Sequence, residues 1–257
     1  YMVTNYLGEK WKPLALAWSF LFFIQFAISG AVQANAITDV MRTTFNANEL
    51  VIGIIIAVLV GIVIIGGITR IGKLAEKVIP AMASLYIIAA IIVLALNIPA
   101  IPEMFRLIFT SAFTGMAPVG GFTGSAISIM ISAGFARGIY SNEGGMGTAP
   151  FAHATAQTDH PAKQGLWGVF EVFIDTIIVC TVTALVILVT GVWTSGASGA
   201  GLTATAFSEG MPGGGVFITL ATAIFAYTTI LMAQYYSEIG GIYCFGNKIS
   251  KPHRILY

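Results

Sequence analysis

Between residues 136 and 165 the chain reads ARGIYSNEGGMGTAPFAHATAQTDHPAKQG, gathering His153, His160, Glu143, Asp159, Arg137 and Lys163 into one short stretch. Four kinds of chemistry could use such a set. A phosphate cradle needs a lysine after its glycines, as in GxxxxGK(S/T), and GGMGTAPF has none. A zinc site needs ligands at characteristic spacing. His153 and His160 stand seven apart with Asp159 between them, matching neither HExxH nor a Cys/His pattern. Acyl transfer needs a nucleophile beside a base and a group that orients the base, and no such set accompanies the histidines. The fourth use is a polar connection between two membrane helices, and that depends on the rest of the chain.

The rest is strongly apolar. Hydrophobic residues make up 57% of the chain and charged residues 9%, with a mean hydropathy of +0.88. A soluble domain carries about a quarter charged residues, so this composition predicts an all-α integral membrane protein. A net charge of +1 offers no basic surface for nucleic acid. Cys180 and Cys244 lie far apart without ligand spacing, so neither a disulfide nor zinc is expected. The opening YMVTNYLGEKW lacks the basic start and short apolar core of a cleavable signal. With the abrupt close at KPHRILY, it reads as an internal stretch of a longer protein.

A membrane span takes roughly 20 apolar residues, because the hydrocarbon core is about 30 Å thick and a helix rises about 1.5 Å per residue. Six stretches qualify: Leu14 to Ala36, Leu50 to Thr69, Val78 to Ile98, Val119 to Tyr140, Leu166 to Trp193, and Gly215 to Ser237. A lipid-facing sheet would have to close into a barrel and would alternate in short segments, which these do not. Six spans put Lys10, Lys12, Arg70, Lys73, Lys77, Arg137, Lys163, Lys248, Lys251 and Arg254 on one side and only Arg42 and Arg106 on the other. The positive-inside rule then predicts that both chain ends and the opening stretch face the cytoplasm. Between spans three and four, IPEMFRLIFTSAFTG reads as an interfacial segment. Between spans five and six, TSGASGAGLTATAFSEGMPGGG reads as a flexible loop.

The fourth span opens on Pro118, Gly120, Gly121 and Gly124, with hydroxyls at Thr123 and Ser125. Small residues let helices pack closely, but this cluster would leave several backbone groups unpaired. Broken backbone at membrane depth is tolerated where it lines a cavity, and its N–H groups attract a carboxylate. Gly120 to Ser125 is therefore the candidate substrate cradle. Thr228 and Thr229 in FAYTTILMAQYY admit two readings: bonding back to a carbonyl one turn earlier, or donating oxygens to a hard cation such as sodium. Gln33 and Asn35, near the outer end of span one, either anchor the interface or, facing inward, bond a small polar solute. Glu171 and Asp175, four apart, share a helix face. Asp175 lies deeper and is the stronger candidate for the inner pathway.

The stretch ARGIYSNEGGMGTAPFAHATAQTDHPAKQG resembles the signature of the alanine or glycine:cation symporters, whose members carry a pattern like ARG(V/I)(F/Y)SNEAGxG(S/T)APxAHAxAxTxHPxxQG. Gly144 replaces the usual Ala, and Gly145 fits the second glycine. The likeness extends through MVTNYLGEKW, VQANAI, IIGGITRIGKLAEKVIPAMASLY and VFIDTIIVCTVTALVILVTGVW. It implies the five-plus-five inverted-repeat fold of the leucine-transporter kind, with substrate held at broken helices one and six. The six spans then correspond to helices three to eight, and residues 1–257 to a partial transmembrane transporter domain.

On this resemblance Gly120, Gly121, Phe122, Thr123 and Gly124 fall on the broken helix, Gln33 on the VQAN segment, and Thr228 and Thr229 on a threonine pair near sodium. Arg137, Asn142, Glu143 and His153 fall in an inner gate, with Arg137 and Glu143 expected in ion pairs. Two departures bear on pocket size and polarity. Met232 and Ala233 stand where many members have a small residue and Trp, and Ile129 stands where members often carry Gln. The implied activity is symport of a small neutral amino acid, such as alanine or glycine, with sodium or a proton across a bacterial or archaeal inner membrane. No enzyme activity and no cofactor beyond the co-transported ion are expected. A channel or scaffold of the same fold is the alternative, and an intramembrane enzyme a more distant one.

Overall fold

The computed structural model describes the backbone of residues 2–113 and 124–257, and the side chains of the same residues except 2, 69, 112, 113 and 124–130. Among the described residues the regular structure is helical throughout. The helices are α1 (Met2–Leu7), α2 (Lys12–Phe45), α3 (Glu49–Ile64), α4 (Gly67–Leu96), α5 (Ile101–Phe113), α6 (Gly124–Asn142), α7 (Ala149–His153), α8 (Pro161–Val172), α9 (Thr181–Val189), α10 (Gly199–Gly210), α11 (Gly214–Phe245) and α12 (Ser250–Leu256). A π-helical stretch, Phe173–Cys180, joins α8 to α9.

Among the described residues, four continuous helical runs are long and apolar enough to cross a membrane: Glu9–Phe45, Arg70–Leu96, Pro161–Val189 and Gly214–Phe245. They overlap the first, third, fifth and sixth expected spans; the first and last extend beyond them at both ends, while the other two begin earlier and stop short, at Leu96 and Val189. The expected second span, Leu50 to Thr69, is corrected to a 16-residue helix. It stops at Ile64 because Gly67 takes a φ of +67°, open to glycine at little cost, and a new helix starts there. Arg70 donates from Nη1 to the Ile62 carbonyl at 2.9 Å, satisfying a group the ended helix leaves free. The fourth expected span lies partly outside the described residues, and α6 carries the remainder.

The loop expected between spans five and six is also corrected. Residues Gly199–Gly210 form a helix with Ala204, Ala206 and Phe207 buried. Glycines punctuate its two ends, at Gly199 (φ +61°) and Gly213 (φ +75°), while its interior LTATAF holds residues compatible with a helix and one large apolar anchor.

The chain divides into two compact units. In the first, Tyr1–Tyr86, Ser198–Ala204 and Gly215–Tyr257, α2 ends on Asn46 in the left-handed conformation (φ +51°), whose N–H bonds the Arg42 carbonyl. Asn48 caps α3, its side chain accepting from the Leu50 and Val51 amides. A core of Ile37, Ile56, Val60, Ile64, Ile230 and Leu231 joins α2, α3 and α11. Where α11 crosses α2, a Cβ on Gly240 would stand 3.0 Å from the Ser19 carbonyl oxygen. A side chain there would press the helices apart by a few tenths of an ångström, and the close approach goes with a bond from Ser237 Oγ to the Phe23 carbonyl at 2.9 Å. The opposite face of α3 exposes Ile54, Ile55, Val58, Leu59 and Ile62. A helix apolar on its outer side as well as its inner one is matched to lipid rather than water.

In the second unit, Ile87–Ala197 and Thr205–Gly214, Val93, Met104, Val186, Val189 and Phe207 are buried. Asn97 donates to the carbonyls of Val93 (2.8 Å) and Gly210 (3.1 Å), closing the ends of α4 and α10 onto one another. This unit also contains the opening stretch of the sequence analysis.

Candidate functional site

The stretch ARGIYSNEGGMGTAPFAHATAQTDHPAKQG folds as the end of α6, a tight turn, the short helix α7, and the start of α8. Each part is braced. Ser141 Oγ donates to Asp175 Oδ2 at 2.7 Å, and Asn142 Nδ2 donates to Thr176 Oγ1 at 3.0 Å, so the end of α6 is held against the π-helical stretch. The other end of the Asn142 amide accepts from the Gly144 N–H at 2.8 Å, the local turn that asparagine favours. Glu143 is left-handed at φ +53°, followed by Gly145 at +77° and Gly147 at +82°. Repeated reversals of this kind explain the glycines: an unbroken helix would carry the chain past α7.

On the far side of the turn, Gln164 Nε2 lies 2.7 Å from His153 Nδ1. An amide nitrogen can only donate, so Nδ1 accepts and the imidazole proton sits on Nε2. That nitrogen faces Glu171 Oε2 at 3.4 Å. His160 has a different task. Its Nδ1 accepts from the Ala162 N–H at 3.1 Å as the cap of α8, with Pro161 in the first turn. Lys163 pairs with Asp159, and that hydrogen bond holds the Asp159 carboxyl below the usual carboxylate range. An open hollow of about 530 Å³ lies between α7 and α8, lined by Pro150, His153, Thr158, Gln164 and Gly168.

One expectation is corrected in this region. Arg137 is exposed, and neither it nor Glu143 takes part in an ion pair among the described residues. The turn is held by Ser141 and Asn142, which leaves Glu143 half-buried without a cation. Burial pushes its carboxyl above the ordinary 4.5; the Thr148 side chain opposes this and the charge of Glu171 adds to it. Glu171 and Asp175, expected on one helix face, meet different partners. The first meets His153 and the second Ser141.

The other expected residues are distributed as follows. Gly120, Gly121, Phe122 and Thr123 lie outside the described residues; Gly124 and Ser125 begin α6. Gln33 is half-buried on α2. Thr228 and Thr229 both donate to the Phe225 carbonyl, at 2.8 and 2.9 Å. Thr228 is buried and Thr229 exposed. Back-bonding uses each hydroxyl proton and leaves the oxygen free to accept or to face a cation.

Sequence reasoning missed a second cluster, in the first unit. Glu238, 4% exposed, accepts from Gln234 Nε2 at 2.9 Å, from Ser250 Oγ, and from Arg254 through Nε at 2.9 Å and Nη2 at 2.8 Å. These bonds fix α12 to α11. His253 is buried beside them, its ring 5.3 Å from Phe23 and 5.6 Å from Tyr257. Burial lowers its pKa, with Glu238 opposing. The available signal was an acid one residue beyond the expected end of span six, followed by the basic segment NKISKPHR.

The sequence pattern of the sodium:alanine symporter family matches residues 1–257. The chain is 41% identical over 261 residues to an uncharacterized transporter, YflA, of Bacillus subtilis, covering all of this chain and 55% of the relative. It is 39% identical to the sodium/alanine symporter AgcS of Methanococcus maripaludis, over 96% of this chain and 54% of the relative. It is 40% identical to a sodium/proton-dependent alanine carrier protein of Bacillus sp. PS3, over 80% of this chain and 49% of that protein. The chain thus spans about half the length of the curated relatives it matches.

Proposed function

The chain belongs to the sodium:alanine symporter family, a family of transporters rather than enzymes, and from that premise we propose that the full-length protein couples inward flow of sodium or a proton to uptake of a small neutral amino acid. Alanine and glycine are the substrates that best fit the resemblance. The observation that carries the reading is the signature stretch, in which Ser141, Asn142 and Gln164 brace a turn between helices. Two relatives bear names that state alanine and sodium dependence.

In this reading residues 1–257 are a partial transporter domain of six spans, corresponding to helices three to eight of an inverted-repeat fold. Gly120 to Ser125, with Gln33, bind the amino acid through backbone and amide groups. Thr228 and Thr229 offer oxygens to sodium. Arg137, Asn142, Glu143, His153 and Asp175 belong to the gate on the cytoplasmic side of a bacterial or archaeal inner membrane, where both ends of this chain also lie. Ligand binding favours closure of the outer path because the two states bind the ligands with different affinity.

The test is uptake of labelled alanine by the full-length protein in proteoliposomes, with and without a sodium or proton gradient. Concentration of alanine against its own gradient is the expected result. Equilibration without accumulation would replace the symporter with a channel, and no flux would leave a scaffold. Thr229→Ala should raise the sodium concentration needed for half-maximal uptake; an unchanged requirement removes the ion-site assignment.

A further inference from the structure

The outer face of α3 and the first turns of α4 carry two halves of one pattern. On α3 the exposed side includes Ile55, Val58 and Ile62, and exposed Ile65 continues it just past the helix end. Steps of three, four and three residues keep these side chains on one line along the helix. From Ile55 to Ile65, at about 1.5 Å per residue, that line runs about 15 Å. It matches the depth of one leaflet, since the whole hydrocarbon core is about 30 Å thick.

The line ends on a cation. Arg70 Nη1 donates to the Ile62 carbonyl at 2.9 Å, and that bond uses one of the five N–H donors of a guanidinium. The Arg70 stem lies over Gly66, where a Cβ would collide with Arg70 Cβ and Cδ. The end of α3 therefore decides where Arg70 sits. Lys73 and Lys77 follow three and seven residues after Arg70, so all three cations share one face of α4, and all three are exposed. Glu76 is the one acid among them, and no ion pair among the described residues involves any of these four side chains. By contrast Lys12, Arg42, Arg106 and Lys163 each pair with an acid three or four residues away.

Charge and apolar surface placed end to end match an amphiphile. A free anion would meet the cations and gain nothing from the isoleucine line, whereas an acyl chain covers that line without exposing it to water. A zwitterionic headgroup brings a cation of its own to a place already positive. An anionic headgroup does not.

We propose that the end of α3 and the start of α4 form a binding site for an anionic phospholipid, its phosphate held by Arg70, Lys73 and Lys77 and an acyl chain lying along Ile62, Val58 and Ile55. Lys73 and Lys77 supply attraction. Arg70, seated on the Ile62 carbonyl, sets the position of the phosphate relative to the apolar line. The site rests on the membrane reading of the chain and is independent of which solute is transported.

The test is native mass spectrometry of the full-length protein in detergent, titrated with phosphatidylglycerol and, in parallel, with phosphatidylcholine. Retention of phosphatidylglycerol in preference to phosphatidylcholine is the expected result. Lys73→Gln should weaken that binding roughly fivefold, and Lys73→Gln with Lys77→Gln roughly 25-fold, as expected for the attraction each cation contributes near anionic lipid. Gly66→Ala keeps every charge but displaces Arg70, and should weaken the lipid too. Lys10→Gln, which removes an exposed cation from another segment, should leave it unchanged. Equal retention by wild type and the double lysine variant overturns the proposal, as it would if the rest of the full-length chain covered this face. Equal weakening by Lys10→Gln overturns it in favour of diffuse surface charge. Displacement of the lipid by inorganic phosphate overturns it in favour of a free-anion site.

Discussion

Two carboxylates, one in each compact unit, meet burial in opposite ways. Glu238 lies at the corner of α11 and α12, and each of its oxygens is occupied by donors from Gln234, Ser250 and Arg254. Glu143 lies in the signature turn, half-buried beside a second acid and a hydroxyl, without a cation. A charge removed from water is tolerated when hydrogen bonds and an opposite charge replace the lost hydration. The first arrangement meets that condition and makes a fixed corner. The second does not, and makes a place whose charge responds to its surroundings.

The largest expected effect tests the fixed corner. Glu238→Ala leaves the Arg254 guanidinium and the Gln234 amide without their shared partner, and breaking a largely buried pair in this way should cost about 3 kcal/mol. Loss of thermal stability of the full-length protein in detergent measures it, and a loss within error of wild type would mean that water replaces the carboxylate freely. Next comes the brace of the turn. Asn142→Ala removes the bond to Thr176 and the local bond to Gly144, worth about 1 kcal/mol each at most, and should loosen the turn. Faster hydrogen exchange of the amides of 143–148, with α11 unchanged, is the expected reading.

The smallest effect concerns Glu143 itself. Burial raises its folded carboxyl above the ordinary 4.5, so the ionised form is the costly one. That cost is absent below the unfolded carboxylate value, grows as pH rises through the window up to the folded value, and stays constant above it. Glu143→Gln should therefore match wild type at the acid end and gain on it above that window. A melting temperature difference independent of pH would erase the contrast between the two acids.

The glycine pattern of the signature already implied a turn between helices, because positive φ at Gly145 and Gly147 is a local property that glycine supplies. The helix start at Pro161, capped by His160, lies five residues ahead of the expected start of the fifth span at Leu166. Hydrophobic length placed the four long helices but not their ends. Gly67 separates α3 from α4 by its backbone conformation, inside a stretch whose hydropathy continues through it. The 199–210 segment was misread for the complementary reason: flanking glycines and serines resemble a loop, and only the burial of Phe207 makes the helix worthwhile.

Composition, apolar run length and the spacing of the signature were enough to determine by themselves that this is a helical membrane chain of a transporter family, because each is a local or additive property of the residues. Which acid is paired and which is left open was decided only by the tertiary structure. Arg254 lies 16 residues from Glu238 and reaches it, while Arg137 lies six from Glu143 and does not pair with it. Ion pairing depends on the directions in which packed helices point their side chains, and separation along the chain does not contain those directions.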